Sequence, residues 1–295
     1  MAVAEAEATR AAPRSETKGA LAHRIAQFPI HFLLAFIALL WLIPAAGLFV
    51  TSILPKEVSG STGWWHVFSK PSEVTWANYD SIFHNSAITH ALWVTLLVTT
   101  GATFLPILIA SLAGYALAWI DFPGRDYVFV TIVGLMVVPI QMALIPMFSL
   151  YNKLNLFDTI PGLILFHTAF ALPFAIFLLR NFFAGIPRDL MEAARIDGAT
   201  EWRLFFKVVL PLGLPAIAAL AIFQVLFVWN DFLIGFTLAQ DNVPIAPALA
   251  GQLRQFSANL DIIAPASFFS AVIPLTIFAL FQRYFVQGLL AGSVK

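Results

Sequence analysis

Six stretches of this chain contain no Asp, Glu, Lys or Arg and run long enough to cross a lipid bilayer: 28–53, 91–120, 127–151, 159–179, 208–230 and 262–282. Each holds at least 21 residues, and a helix needs roughly 20 to span the hydrocarbon. Backbone N–H and C=O groups find no water there, so such a stretch must be a helix or part of a closed barrel. The period-two alternation of a membrane barrel is absent. The expected fold class is therefore an all-α membrane protein with six transmembrane helices. Composition agrees: only 11% of the residues are charged, against about 25% in a soluble domain. Pro44, Pro106, Pro139, Pro146, Pro173, Pro215 and Pro274 fall inside the stretches. Each withholds a backbone donor, so kinked helices are expected.

The formal net charge is zero, so nothing points to nucleic acid as a partner. There is no cysteine, which removes disulfide frameworks, thiolate metal sites and thiol catalysis together. Residues 1–27 are polar and rich in Ala and Glu, and read as a disordered tail. The apolar run after them has 26 residues, too long for a signal-peptide core of about 7–15, so it reads as a retained first span. Of the 16 Lys and Arg residues, only Lys56, Lys70, Lys153 and Arg254 fall on the side opposite the N-terminus. That bias places both termini in the cytoplasm, together with the loop between the fourth and fifth spans. Trp64, Trp65 and Trp76 lie in the first outer loop and read as an interfacial belt or loop packing.

One polar island interrupts the apolar pattern. The 20 residues from Glu192 to Pro211, EAARIDGATEWRLFFKVVLP, hold six charges. Pro187 suits the first turn of a helix, and Asp189 and Glu192 suit its positive end. Leu190, Ala193, Ala194 and Asp197 fall at i, i+3, i+4 and i+7, on one face made small by the alanines. Gly198 permits a turn that a side chain would hinder. Thr200 caps a second short helix opened by Glu201. A solvated loop or an amphipathic helix on lipid headgroups is the plainer reading of such a cluster.

The order of residues goes further. Glu192-Ala193-Ala194, Gly198, Val208 and Leu210-Pro211 resemble the EAA pattern of ABC-importer permeases, E-A-A-x3-G-x9-I-x-L-P, with Val208 the single departure. The stretches "SLAGYALAWIDFPGR", "VWNDFL" and "QRYFVQGLLAGSVK" extend the resemblance to carbohydrate importers of the maltose permease type. It covers residues 85–295 as a permease core of five spans. Residues 28–84 would form the first span and an external loop. The region 249–267 departs more from the family.

The resemblance implies the type I ABC importer architecture, in a bacterial or archaeal cytoplasmic membrane. It implies a second permease subunit in a heterodimer, two ABC ATPase subunits and an external solute-binding protein. The island, about 187–207, would be the coupling helix seated in an ATPase cleft. Glu192, Ala193, Ala194, Asp197 and Gly198 would form the core of that contact, with Arg195 and Glu201 flanking it. Gly292, Ser293, Val294 and Lys295 would also touch the ATPases, or form a frayed terminus. ATP and Mg would be bound by the ATPase subunits. This chain carries no G-x-x-x-x-G-K-[ST], and none of its lysines precedes Ser or Thr.

Gln141, His167, Gln224, Asn230 and Asp231 are the candidate polar groups within or beside the spans, with Trp229 next to the last two. They could line a sugar pathway, or serve as hydrogen bonds between helices. The spans lack the midplane acids of an ion-coupled secondary transporter. The chain also lacks the H-E-x-x-H and G-x-S-x-G motifs of membrane enzymes. The expected function is a sugar-importer permease. A neutral oligosaccharide is favoured because the spans hold no cluster of Lys or Arg. A polyol or glycerol phosphate is the alternative.

Overall fold

A computed structural model describes residues 15–253 and 259–291. Among them, every regular element is helical. In chain order these are α1 (Ser15–Ser52), α2 (Lys56–Ser61), two short 3-10 turns (Trp64–Phe68 and Pro71–Glu73), α3 (Ala77–His84), α4 (Ser86–Trp119), α5 (Arg125–Leu135), α6 (Ile140–Leu154) and α7 (Ile160–Ala184). They continue with α8 (Arg188–Ile196), α9 (Glu201–Leu204), a π turn (Phe205–Val209), α10 (Leu210–Trp229), α11 (Leu233–Leu238), α12 (Ile245–Leu253) and α13 (Leu260–Ala291).

Five helical stretches are individually long and apolar enough to cross a membrane. They lie within α1, α4, α7 and α13 and along the continuous rod Glu201–Trp229. The third expected span is not one helix. It breaks after Leu135 and resumes at Ile140, with a bend of 96°. The physical reason is local. Pro139 disfavours a helical conformation in the residue before it, and Val137 and Val138 are β-branched. Pro139 itself is extended, at φ −67° and ψ 130°. Pro44, Pro106, Pro146, Pro173, Pro215 and Pro274 stay inside helices.

The bent pair still passes from one end of the bundle to the other. Trp119, at the end of α4, donates to the carbonyl of Phe183, at the end of α7 (3.0 Å). α5 starts a few residues after Trp119. Beyond α6, the N–H of Asp158 donates to Leu238 O (2.9 Å), past the far end of α10. The bundle therefore has six crossings. α13 starts at that far end, where Lys56 lies 3.8 Å from Asp261 and Trp229 donates to Ser270 O (3.0 Å). Ser15 and Ala291 consequently lie at the end that carries α8 and α9.

The described chain is already helical at Ser15, so 15–27 of the disordered tail expected for 1–27 are helical; residues 1–14 lie outside the described residues. Ala, Leu, Lys, Glu and Arg are good helix formers, and a long span beside them already supplies the nucleus. The suggested ATPase contact at Gly292, Ser293, Val294 and Lys295 also lies outside the described residues.

Close approach of α4 and α7 holds the centre of the bundle. A Cβ on Gly114 would stand 3.0 Å from the backbone nitrogen of Arg180, so a side chain there would force the two helices apart. Around this contact Ala110, Leu117, Ala175, Leu179 and Phe183 are buried in one apolar cluster with the base of the α8–α9 hairpin.

Candidate functional site

The α8–α9 hairpin is built as a rigid turn on a packed base. Pro187 caps α8, with Asp189 in its first turn and Arg195 in its last, matching the helix dipole. The helix closes with the paired bonds of a Schellman motif: Ala199 N donates to Ala194 O and Gly198 N to Arg195 O, both at 3.0 Å. Gly198 sits at φ +77°, and a Cβ there would meet nothing within 4 Å. The glycine is needed for its backbone angle, not for space. Thr200 then caps α9, accepting from Arg203 N (3.4 Å). The two short helices around Gly198 were legible in the sequence.

Met191, Leu204 and Val209 are fully buried and Phe205 nearly so. Each such side chain contributes roughly 1.5–3 kcal/mol by leaving water. The exposed Arg195–Glu201 pair (3.2 Å) contributes about 0–1 kcal/mol. Packing therefore anchors the hairpin, and the ion pair trims its shape. The outward face carries Glu192, Ala193, Ile196 and Asp197, all exposed.

The structure redistributes some predicted contact residues. Ala193 faces outward, but Ala194 packs against the apolar cluster below, because it lies three residues from Met191 on the same helical face. Glu201 is engaged within the chain. Its Oε1 accepts from Arg195 Nη2 (3.2 Å) and its Oε2 from the hydroxyl of Tyr115 on α4. Sequence reasoning missed Ile196, which is 86% exposed. Its signal was present: an Ile spaced i+3 and i+4 from Ala193 and Glu192. Tyr115 had no local signal, since its partner lies 86 residues away.

The polar groups of the spans divide into two sets. Gln224 donates to Ala102 O of α4 (3.0 Å) and also lines a hollow of about 280 Å3 with Ile140, Phe170, Phe174, Phe223 and Phe227. His167 is buried behind that lining, its ring perpendicular to that of Phe227, with Nε2 3.9 Å from Asp231 Oδ2. Gln141 is exposed, next to Ile140. Trp229 and Asn230 do not join this group. Trp229 spends its N–H on Ser270 of α13, and Asn230 donates to Leu226 O at its own helix end (2.8 Å). Asp231 caps α11, accepting from Ile234 N (3.0 Å) and Gly235 N (3.1 Å). The spacing of the four phenylalanines, two i, i+4 pairs, was a readable sign of the aromatic lining.

Up to six apolar spans with one exposed helical hairpin make this a multi-pass membrane protein, and its family makes it a transport permease component. The chain belongs to the family of binding-protein-dependent transport system inner membrane components, whose pattern matches residues 107–291. It is 42% identical over 275 residues to the osmoprotective compounds uptake permease protein GgtD of Synechocystis sp., covering 91% of this chain and 92% of that one. It is likewise 42% identical over 250 residues to the alpha-glucoside transport system permease protein AglG of Rhizobium meliloti, covering 81% of this chain and 66% of that one. Its fold is similar to a chain in the crystal structure of a bacterial ABC transporter involved in the import of the acidic polysaccharide alginate. That similarity has a TM-score of 0.74 at 23% identity, covering 94% of this chain and all of that one.

Proposed function

We propose that this chain is one of two permease subunits, in a heterodimer, of an ATP-driven importer for a neutral oligosaccharide. An external binding protein delivers the solute, and two ATPase subunits that bind ATP and Mg supply the energy. The observation that carries the reading is the exposed hairpin fixed on a buried base. A cleft on an ATPase subunit would close around Glu192, Ala193, Ile196, Asp197 and Gly198. Because Met191, Leu204 and Val209 lock the base, a push on the outer face moves the hairpin as a body. ATP-driven approach of the two ATPases would then shift the permease between inward- and outward-facing states. Glu192 would pair with a basic residue of that cleft. In this reading the hairpin and both chain ends face the cytoplasm, as the Lys and Arg distribution argues.

The solute class rests on the hollow beside α7 and α10. Four aromatic faces suit the C–H faces of a sugar, and Gln224 offers a hydrogen-bonding group beside them. No Lys or Arg lines the hollow, which disfavours an anion. The name of the Rhizobium relative, an alpha-glucoside permease, supports a neutral glycoside. The name of the Synechocystis relative favours a second reading, a small osmoprotective solute such as a polyol; a glycerol phosphate fits the uncharged lining less well.

The test is co-expression with the partner permease, ATPases and binding protein, followed by reconstitution into vesicles. ATPase activity should rise when the binding protein is loaded with a neutral oligosaccharide, and the labelled sugar should accumulate. Stimulation by polyols alone would favour the second reading. Failure of the chain to assemble with any ATPase would refute the importer reading altogether.

A further inference from the structure

The hairpin is joined to the spans in two ways. It continues covalently into α10, but through the π turn Phe205–Val209 with Pro211 close behind it. Pro211 has no N–H to donate to the turn before it, and π turns are frequent at functional sites. α4 does not run directly into the hairpin: its Tyr115 and the hairpin's Glu201 are 86 residues apart in sequence. It meets the hairpin through Tyr115. The ring is 4% exposed and tilts against Phe205, centroid to centroid 5.3 Å. Its hydroxyl donates to Glu201 Oε2 and lies 3.4 Å from the Glu201 carbonyl oxygen. Glu201 Oε1 in turn accepts from Arg195, in the last turn of α8.

A phenylalanine would fill the same apolar site. The hydroxyl must therefore contribute something besides packing. Apolar contact is non-directional and lets surfaces slide past each other. A hydrogen bond to a carboxylate is short, strong and directional. The chain Tyr115–Glu201–Arg195 thus clamps both hairpin helices to one point on α4. That helix runs 34 residues to the opposite end of the bundle, where Thr95 Oγ1 accepts from Ile245 N (2.7 Å).

We infer that Tyr115 is a positioning residue for energy coupling: its hydrogen bond to Glu201 ties α4 to the hairpin, so that displacement of α8 drives α4 together with α10. The inference rests on the importer reading above. Without the bond, the ATPases still dock and hydrolyse ATP, but α4 lags and solute transfer per ATP falls.

The experiment uses the complete transporter in vesicles and reads labelled sugar accumulated per ATP hydrolysed. Y115F should assemble normally and lower that ratio roughly fivefold or more, the lower range of an allosteric coupling contact. E201A should lower it in the wild-type chain, and E201Q, which keeps an acceptor for the hydroxyl, should lower it less. In the Y115F background the Glu201 variants should cause little further loss, because the link is already broken. An unchanged ratio in assembled Y115F would overturn the inference. So would full additivity of Y115F with E201A. A wild-type chain that binds no ATPase would instead remove the importer reading, so the two failures are distinct.

Discussion

Ile196 is a large apolar side chain standing 86% exposed on a short helix whose Met191 and Ala194 are turned inward. Exposed apolar residues at the centre of a polar patch are what interface anchors look like before a partner covers them. Substituting Ile196→Asp should therefore leave the fold alone and weaken the ATPase contact. A surface change away from the core usually shifts stability by within about 0.5 kcal/mol, while loss of an interface anchor costs roughly 2 kcal/mol or more. Thermal unfolding of the isolated permease should be unchanged, and recovery of the ATPases in co-purification should fall at least tenfold. Glu192→Lys should behave alike for a different reason. Reversing one partner of a pair desolvated at the interface leaves an uncompensated charge, on the order of 3–5 kcal/mol. Normal transport by either variant would argue against the placement of the ATPase on this face. Ala194→Ser separates the two surfaces of α8. Because Ala194 faces the bundle, it should alter stability more than ATPase recovery.

At the scale of elements, two loops at the end opposite the hairpin are latched by one carboxylate. Asp158, between α6 and α7, accepts from the consecutive N–H groups of Gln240 (2.8 Å), Asp241 (3.0 Å) and Asn242 (2.9 Å). Asn242 Nδ2 also donates to Asp158 O (2.7 Å). Burial alone would push the carboxyl pKa up, but the N–H groups outweigh it and hold the group below its ordinary value of 3.8. A lowered native pKa means that the latch contributes fully above the unfolded value and is lost as pH falls through the native one. Asp158 sits at φ +55°, which Asn tolerates as well as Asp, so Asp158→Asn isolates the charge. It should cost about 1–2 kcal/mol, less than full charge-assisted strength because the loop is partly exposed. Its unfolding midpoint should also respond less than the wild type's as pH drops from 5 toward 3, by roughly the same amount. This latch was invisible in the sequence, because a nest of backbone donors has no side-chain signature. The break at 136–139 was only half visible. Pro139 predicted a kink, yet the other span prolines sit inside intact helices, so proline alone did not set the outcome. The EAA hairpin was legible because capping, Gly198 and residue order all act over a few residues. The inward turn of Glu201 was not, since it depends on a tyrosine brought in by the fold.

The whole molecule turns on a question of parity. If the bent pair α5–α6 entered and left the membrane on one side, the chain would cross five times and its ends would lie on opposite faces. The bonds at the two ends argue for six crossings. Trp119 and Phe183 meet at the hairpin end, while Asp158 meets Leu238 and Asn242 at the other. Ser15 and Ala291 then share the hairpin's face, which the proposed function takes as cytoplasmic from the distribution of Lys and Arg. The sequence contains no cysteine, so single thiols can report each side without background. S61C and N242C, in the segments after α1 and α11, should react with a membrane-impermeant maleimide in intact cells. T200C in the hairpin and D126C at the start of α5 should react only after the membrane is opened. N152C, near the end of α6, decides the parity. Labelling from outside requires the bent pair to cross. Protection of N152C until permeabilisation, with N242C still exposed, would make the pair re-entrant and contradict the bond between Asp158 and the 240–242 loop. A C-terminal reporter would then also change sides while the hairpin did not, and the six-crossing architecture proposed for the transporter would have to be abandoned.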